Sequence, residues 1–540
     1  MNYILKSTCA FAILLSWSPA SAYNWLESEP LPINGQPNPY NYSAEQIPRT
    51  VRAGRLHALN YPVTVTGAAL PYEPFKRLLD KAQMGIDGLG SWLGLHPYPT
   101  QEGVGPYFIP FKNGHRPSER MGFTRLKTAQ GDAITFSCAA CHSANLFGRQ
   151  VMGLTNRFPR ANDVFVKGKK AMALMDSTYL RVLTGASKQE INMYLQTKEN
   201  LRSVEAKKPQ ALGLDTSLSH VALSLSKRQA DEWATQDRTQ YKKPRPEPLR
   251  HNVADSKPAV WWNVKYKNKW LLDGSVVSGN PIYTNLLWNE IGRGTNLHAL
   301  KNWLDQNLQI INELTTAVYQ SEPPPMTDFF SENSFDLESA KRGESLFNQA
   351  CSRCHGTYEK AWALANADGL SLKEKFKTVK VNYFAQTPVI NVGTDESRHL
   401  AMASLVQLNN LSISKEKGIV IRQQNGYVPP PLLGIWARYP YFHNNSVASL
   451  CDLLTPAAYR PQHYYACEAN NQQQDFDFNC NGYPVVQRLT LAQIASKYFY
   501  DNRKAGLSNK GHDRMLFNQN GQEIFSGANK KDLIHFLQSL

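Results

Sequence analysis

Beyond its first two dozen residues the chain has no apolar run approaching the roughly 18 residues of a membrane-spanning helix, so that part predicts no helical span. It lacks any short-period repeat, which excludes solenoid and propeller arrays. Basic residues outnumber acidic ones, 59 to 44, yet they form no block or stripe. That removes the electrostatic footprint of a nucleic-acid binder. The formal net charge of +15 suits solubility, an acidic partner protein or an anionic surface. Cysteine is scarce, eight in 540 residues, so the positions it occupies are informative.

Met1 to Ala22 reads as a secretory signal. Lys6 supplies the positive region, Ala10 to Leu15 is mostly apolar, and Ala20-Ser21-Ala22 is a small-residue cleavage site. Lys6, three residues before Cys9, argues against lipid attachment there. The expected product begins at Tyr23 as a periplasmic or secreted protein of about 518 residues, with room for two or three domains. Loss of Lys6 lowers the formal charge to about +14.

What the chain does have is Cys138-Ala139-Ala140-Cys141-His142, and a second pentad of the same form, Cys351-Ser352-Arg353-Cys354-His355. Two thiols two residues apart, followed at once by histidine, form a c-type haem attachment site. The cysteines reach the two vinyl groups of one porphyrin edge, and the histidine is carried under the iron as proximal ligand. Random placement of these residue types gives about 0.003 such pentads per chain, so two are no accident of composition. A zinc site or a thioredoxin-like redox pair is the competing reading of each. The expectation is two covalently bound haems c, on His142 and His355. Export suits that chemistry, because covalent haem attachment in bacteria is completed outside the cytoplasm.

Cys467 and Cys480 bracket a polar loop that has little means of packing itself, and are expected to form a disulfide. Cys451, inside the apolar run 448–454, is expected to be a buried free thiol. Residues 23 to about 60 read as an extended arm, and recurrent Gly and Pro in 61–135 predict no long helices. Ala133 to Phe136 is an extended lead into the first pentad. Val164 to Leu183, Lys188 to Lys207 and the stripe from Leu297 to Leu314 predict helices. Residues 227–258 are polar and read as a surface excursion. Ser321-Glu322-Pro323-Pro324-Pro325 is the best boundary, giving an N-terminal haem domain over 23–320, a linker over 321–333 and a C-terminal domain over 334–540. There Asp336 is the expected N-cap of a helix running into Cys351, and Asn529 that of a closing helix. Gly343 would let the two cross closely. The fold class expected is mainly α with long irregular segments, as two cytochrome c-type domains, the first elaborated by insertions.

The sixth iron position separates a closed electron-transfer haem from a reactive one. For the haem on His355, four residues are candidates. Met402 reads more readily as core and His399 as surface, while His443 and His512 both sit in segments that could reach a haem. For the haem on His142, Met152 is too near in sequence. His220, His251 and His298 lie in contexts that read as surface, which leaves that haem open.

Tyr427-Val428-Pro429-Pro430-Pro431-Leu432-Leu433-Gly434-Ile435-Trp436-Ala437-Arg438, running into Tyr441-Phe442-His443-Asn444-Asn445-Ser446-Val447, resembles a stretch of bacterial dihaem cytochrome c peroxidases and their relatives. Thr135-Phe136-Ser137, Ser143-Ala144-Asn145-Leu146 and Gly511-His512-Asp513 are similar to one branch, the rubber oxygenases and related fatty-acid dioxygenases. The resemblance implies O2 or peroxide chemistry at the His142 haem, a bis-histidine relay on His355 and His512, and His443 beside the iron ligands. Val260-Trp261-Trp262-Asn263 and Trp270-Leu271-Leu272-Asp273-Gly274 are the candidate distal-pocket segments, the paired Trp261 and Trp262 resembling that branch's segment near the first haem. A calcium ion between domains, found in some peroxidase relatives, leaves no signature here. The chain is shorter than the rubber-cleaving members and has Asn445 where a glycine is common.

Three functions fit these residues. The first is an oxygenase using O2 on an apolar lipid or isoprenoid. The second is a peroxidase fed with electrons by a redox partner. The third is an electron carrier without catalysis. No Glu or His near the paired tryptophans stands out as the acid–base group a peroxidase needs, which favours O2 chemistry.

Overall fold

The computed structural model describes residue 35 and residues 38–540, apart from 217, 229, 230 and 485–487. The signal segment expected at 1–22 lies outside them. The chain is mixed α/β, about 44% helical, so the mainly-α expectation holds only in part. Its strands are short and make one three-stranded sheet and several two-stranded ones.

The supposed arm over 23–60 contains a 15-residue helix, α1 (Gln46–Asn60). Pro48 in its first turn is tolerated because the N–H groups there have no intrahelical partner anyway. Ser43 supplies the missing acceptor, taking the N–H groups of Gln46 and Ile47. The helix is set by tertiary contact: His57 Nε2 lies 2.7 Å from Glu313 Oε2 on a distant helix. Next come β1 (Leu70–Pro71), α2 (Tyr72–Lys81) and α3 (Gly85–Trp92). Strands β2 (Phe123–Thr128) and β3 (Gly131–Phe136) pair antiparallel, with Phe123 opposite Phe136, and β1 adds to the far edge of β3. After the first pentad, β4 (Ser143–Leu146) and β5 (Arg149–Met152) form a hairpin. Its turn, Phe147-Gly148, has positive φ at both residues, as a tight two-residue hairpin requires.

Three helices cover this sheet: α4 (Ala161–Leu174), α5 (Ser177–Thr184) and α6 (Lys188–Asn200). Asp176 caps α5 through the Tyr179 N–H, which is why the single helix expected over 164–183 is two. Deeper lie α7 (Leu218–Ser226) and α8 (Pro281–Gly292). The helix expected over 297–314 is also two, α9 (Leu297–Gln306) and α10 (Leu308–Tyr319), broken at Asn307.

In the C-terminal half, α11 (Leu337–Ala350) is capped by Asp336, whose carboxylate accepts from the Ser339 N–H at 2.9 Å. A cap of this kind is worth about 1 kcal/mol. The closing helix, α12 (Gly527–Gln538), is capped by Ser526, with Asn529 as the third residue of a reciprocal capping box. The expected cap at Asn529 is therefore three residues late. The two helices cross at Gly343, where a Cβ would fall 2.0 Å from the Asp532 carbonyl oxygen. Any side chain there would push them apart.

The two largest buried clusters draw on both sides of the Pro-rich stretch. Leu405, Leu408, Ile413 and Ile421 pack with Trp270, Leu287 and Leu300, while Ala144, Leu146, Val151 and Trp262 pack with Trp436 and Phe536. Residues 321–325 are pinned in between, Pro324 accepting the Trp436 indole N–H at 2.7 Å.

The disulfide is Cys451–Cys480, and the expected Cys467–Cys480 pairing is wrong. The Cys480 carbonyl accepts from the Leu450 and Cys451 N–H groups, and that brings the Cα atoms of Cys451 and Cys480 to 4.9 Å. Cys467 is the free thiol, its Sγ 3.6 Å from Asp475 Oδ1.

Candidate haem sites

The extended β3 delivers Phe136 and then turns sharply. Cys138–Ala140 form one 3₁₀ turn in which the Cys138 carbonyl accepts from Cys141 and His142. That turn brings both thiols and the His142 imidazole to one wall of a cavity of about 220 Å³. Burial pushes the Cys138 thiol up to about 11 and Cys141 to about 12. A reactive thiol pair needs the opposite shift. His142 is pushed down to about 4 by burial, partly offset by the Ala259 carbonyl, and so presents a neutral imidazole.

Helix α7 places His220 on the same cavity. The sequence read it as surface, yet it is buried. Its Nδ1 lies 3.1 Å from Asn162 Oδ1, and its Nε2 has no partner. Phe165 of α4 meets it edge-on at 4.6 Å, and Gly292 at the end of α8 leaves room for it. Asp215, also on the cavity, is buried and accepts the Asn162 N–H on both oxygens. Burial raises its carboxyl above the usual range, and the Asn162 N–H opposes that shift. The cavity thus holds the acid–base groups that were not found by sequence near the paired tryptophans. His251 and His298 are exposed, as expected.

Trp261 packs against the His142 ring, centroids 5.8 Å apart. Trp262 is fully buried and donates its indole N–H to the Leu433 carbonyl at 2.9 Å, tying the halves together. Neither lines the cavity. The wall in that direction is Leu271 and Leu272. Leu271 adopts φ +68°, a costly conformation for a branched side chain. Asp273, next to them, holds Arg398 in a buried ion pair at 2.8 Å.

At the second pentad α11 runs into Cys351, and one further turn, Ser352–His355, completes it. His355 Nδ1 donates to the Pro430 carbonyl at 2.8 Å, which fixes the tautomer and aims Nε2 into a cavity of about 200 Å³. His512 stands across from it, ring centroids 6.2 Å apart and planes 16° from parallel. Gly511 lets the loop lie on 393–394, where a Cβ would fall 2.4 Å from the Thr394 nitrogen. The His512 N–H is bonded to the Val392 carbonyl at 2.8 Å. Burial holds His355 near 4 and His512 near 3, so both are neutral donors.

The other candidates are elsewhere. His443 lines this cavity, but its ring is stacked on Tyr427 at 4.1 Å with the Tyr427 hydroxyl 3.1 Å from Nε2. Met402 is buried in a core cluster with Trp270 and Leu287, away from both cavities. His399, expected at the surface, is buried edge-on to Tyr427 at 5.4 Å.

The residues fit haem. Metal–nitrogen bonds are about 2 Å, so two imidazoles on opposite sides of one iron have centroids about 6 Å apart, as His355 and His512 do. Among the described residues no group of three or more His, Cys, Asp or Glu is placed to hold a metal by itself. A tetrahedral zinc site needs such a group, whereas a porphyrin brings its own nitrogens. Nor does a side-chain cluster for calcium stand out. Arg160, Arg293 and Arg398 line the His142 cavity and suit the propionate carboxylates of a haem. The two cavities share Lys257 and Leu272, so one layer of side chains separates them.

Comparison with known proteins agrees with this chemistry. The uncharacterized protein y4iM of Sinorhizobium fredii (strain NBRC 101917 / NGR234) is 26% identical over 266 residues, 48% of this chain and 57% of that protein. Uncharacterized protein y4iJ of the same organism is 26% identical over 257 residues, 38% of this chain and 39% of that protein. The matches therefore span about half of these relatives' length or less. Residues 426–465 match the family model described as RoxA-like, cytochrome c-like, and this is the segment that supplies Tyr427, Pro430 and His443 to the His355 cavity. The chain thus carries a RoxA-like cytochrome c-like domain, which implies c-type haem and a relationship to RoxA-like proteins.

Proposed function

We propose that this chain is an exported dihaem c-type oxidoreductase that oxygenates an apolar lipid or isoprenoid with O2. The carrying observation is an asymmetry. His355 faces His512 with ring centroids 6.2 Å apart, whereas His142 opens on a mixed cavity that joins Phe136, Phe165 and Leu271 to Asp215, His220 and three arginines. Haem c held by Cys138 and Cys141 with His142 below the iron would supply O2 activation. Phe136, Phe165 and Leu271 would offer apolar contact to a carbon–carbon double bond. His355 and His512 would hold the second haem as a closed electron relay, with Leu272 and the Lys257 stem as the layer between the two. The test is reduced holoprotein titrated with CO, then incubated with O2 and oleate or an isoprenoid. One CO per two haems and an oxygenated product are expected. No oxygenated product from either substrate overturns the reading.

His220 and Asp215 favour a second reading, peroxide reduction. The His220 Nε2, which has no partner, would be placed to take a proton from peroxide in the cavity, and Asp215, on the same cavity, would be placed to pass one to the leaving oxygen. Rapid oxidation of a reduced small cytochrome by H2O2, lost by about a hundredfold or more in His220→Leu, would place this reading first. If reduced protein binds no CO, both haems are closed and the chain is an electron carrier.

A further inference from the structure

Beside the His142 cavity lies a second one, of about 200 Å³, formed under α4 by α2, α5, α6 and the end of β3. The two share Phe136 and Phe165 as a common wall. Four side chains on this second cavity are polar, and each is already committed to a backbone carbonyl. Thr135 donates to Ala68 at 2.7 Å, Thr197 to Ala69 at 2.6 Å and Tyr194 to Met175 at 2.7 Å. Lys169 donates its ammonium to Val204. The rest of the lining is apolar, and an apolar cavity of this kind takes hydrocarbon.

Helix α4 shows the same thing in its sequence. Val164, Gly168, Ala171 and Met175, spaced three and four apart, face the cavity. Gly168 stands mid-helix, where glycine is the costliest ordinary residue. Its Cβ would meet nothing within 4 Å. A larger residue would fit, would stabilise the helix and would fill the space.

We infer that this cavity binds an unfunctionalised hydrocarbon arm of the substrate, with the reacting carbons beyond Phe136 and Phe165 in the His142 cavity. The inference rests on the oxygenase reading for its substrate class, and the two are separable by experiment. Tritiated oleate and tritiated farnesol serve as a linear and an isoprenoid probe, with equilibrium binding measured on the holoprotein. Gly168→Leu should weaken binding by about tenfold or more, the scale on which an apolar pocket rejects a misfit. Its melting temperature should hold or rise. Lys170→Leu, on the exposed face of the same helix, should leave binding unchanged. Val164→Phe, at a half-buried position on the same cavity, serves as a second filling variant if Gly168→Leu fails to fold. Preference for one probe identifies the source of the arm.

Unchanged affinity in a folded, haem-loaded filling variant overturns the site, as does wild-type protein that binds neither probe. Binding that is sensitive to Gly168→Leu, with no oxygenated product, upholds the site and removes the oxygenase reading. Equal product from wild type and Gly168→Leu does the reverse.

Discussion

The imidazoles of His355 and His512 face one another 6.2 Å apart and nearly parallel, the first held through its ring and the second carried on an anchored loop. The Pro430 carbonyl accepts from His355 Nδ1, and the Val392 carbonyl accepts from the His512 backbone N–H. His512→Ala should leave the fold intact and open the second iron. The reduced variant should bind two CO per chain, against one for the wild type, with haem content equal in both. An unchanged CO count would remove His512 from the iron.

Cys451 and Cys480 are 29 residues apart in sequence. Closing a loop of that length stabilises a fold by about 3–4 kcal/mol through the unfolded chain. Cys451→Ser should lower the melting temperature and increase proteolysis within 451–480. Cys467→Ser should do neither. Reduced and oxidised peptide maps would decide the pairing directly.

Asp273 and Arg398 form an ion pair whose side chains are 0% and 4% exposed. Removing one partner leaves the other charged and buried, which typically costs about 3–5 kcal/mol. Asp273→Ala should destabilise on that scale in denaturant unfolding, and Arg398→Met with Asp273→Leu together should recover much of the loss. Because Arg398 also lines the His142 cavity, the first variant should shift the absorption spectrum of the haem there as well.

His96 is buried, and burial, helped by Arg157 and Arg120, pushes it down to about 4. In the unfolded chain a histidine binds its proton near 6.5. Between those values the unfolded state holds more protons, so stability is fully present above about pH 6.5 and declines as pH falls toward 4. The full contribution is about 3 kcal/mol. His96→Asn should flatten the pH dependence of unfolding free energy over pH 6.5 to 4 by about one proton. An unchanged slope would show that His96 is not neutral in the fold.

Residues close together in sequence were the legible part. The two pentads could be read as candidate haem c sites because their chemistry is local: two thiols and an imidazole within five residues. The Asp336 cap and the helix into Cys351 were readable for the same reason, as was Gly343, whose lack of a side chain marks a close crossing. Helix α1 was not, since Gln46–Asn60 is poor in apolar spacing and owes its place to contacts such as His57 with Glu313.

The disulfide partner was not legible either. Flanking polarity pointed to Cys467, but hydrogen bonds from Leu450 and Cys451 to the Cys480 carbonyl chose Cys451. His220 looked like a surface residue because it stands among polar or helical neighbours, and Asp215 carried no signal at all. Only the packing of α7 against α4 and α8 brings them to the His142 cavity and leaves the His220 Nε2 without a partner. The sequence by itself determined what each pentad can hold. What stands across from each histidine depends on segments hundreds of residues away, and only the tertiary structure decided it.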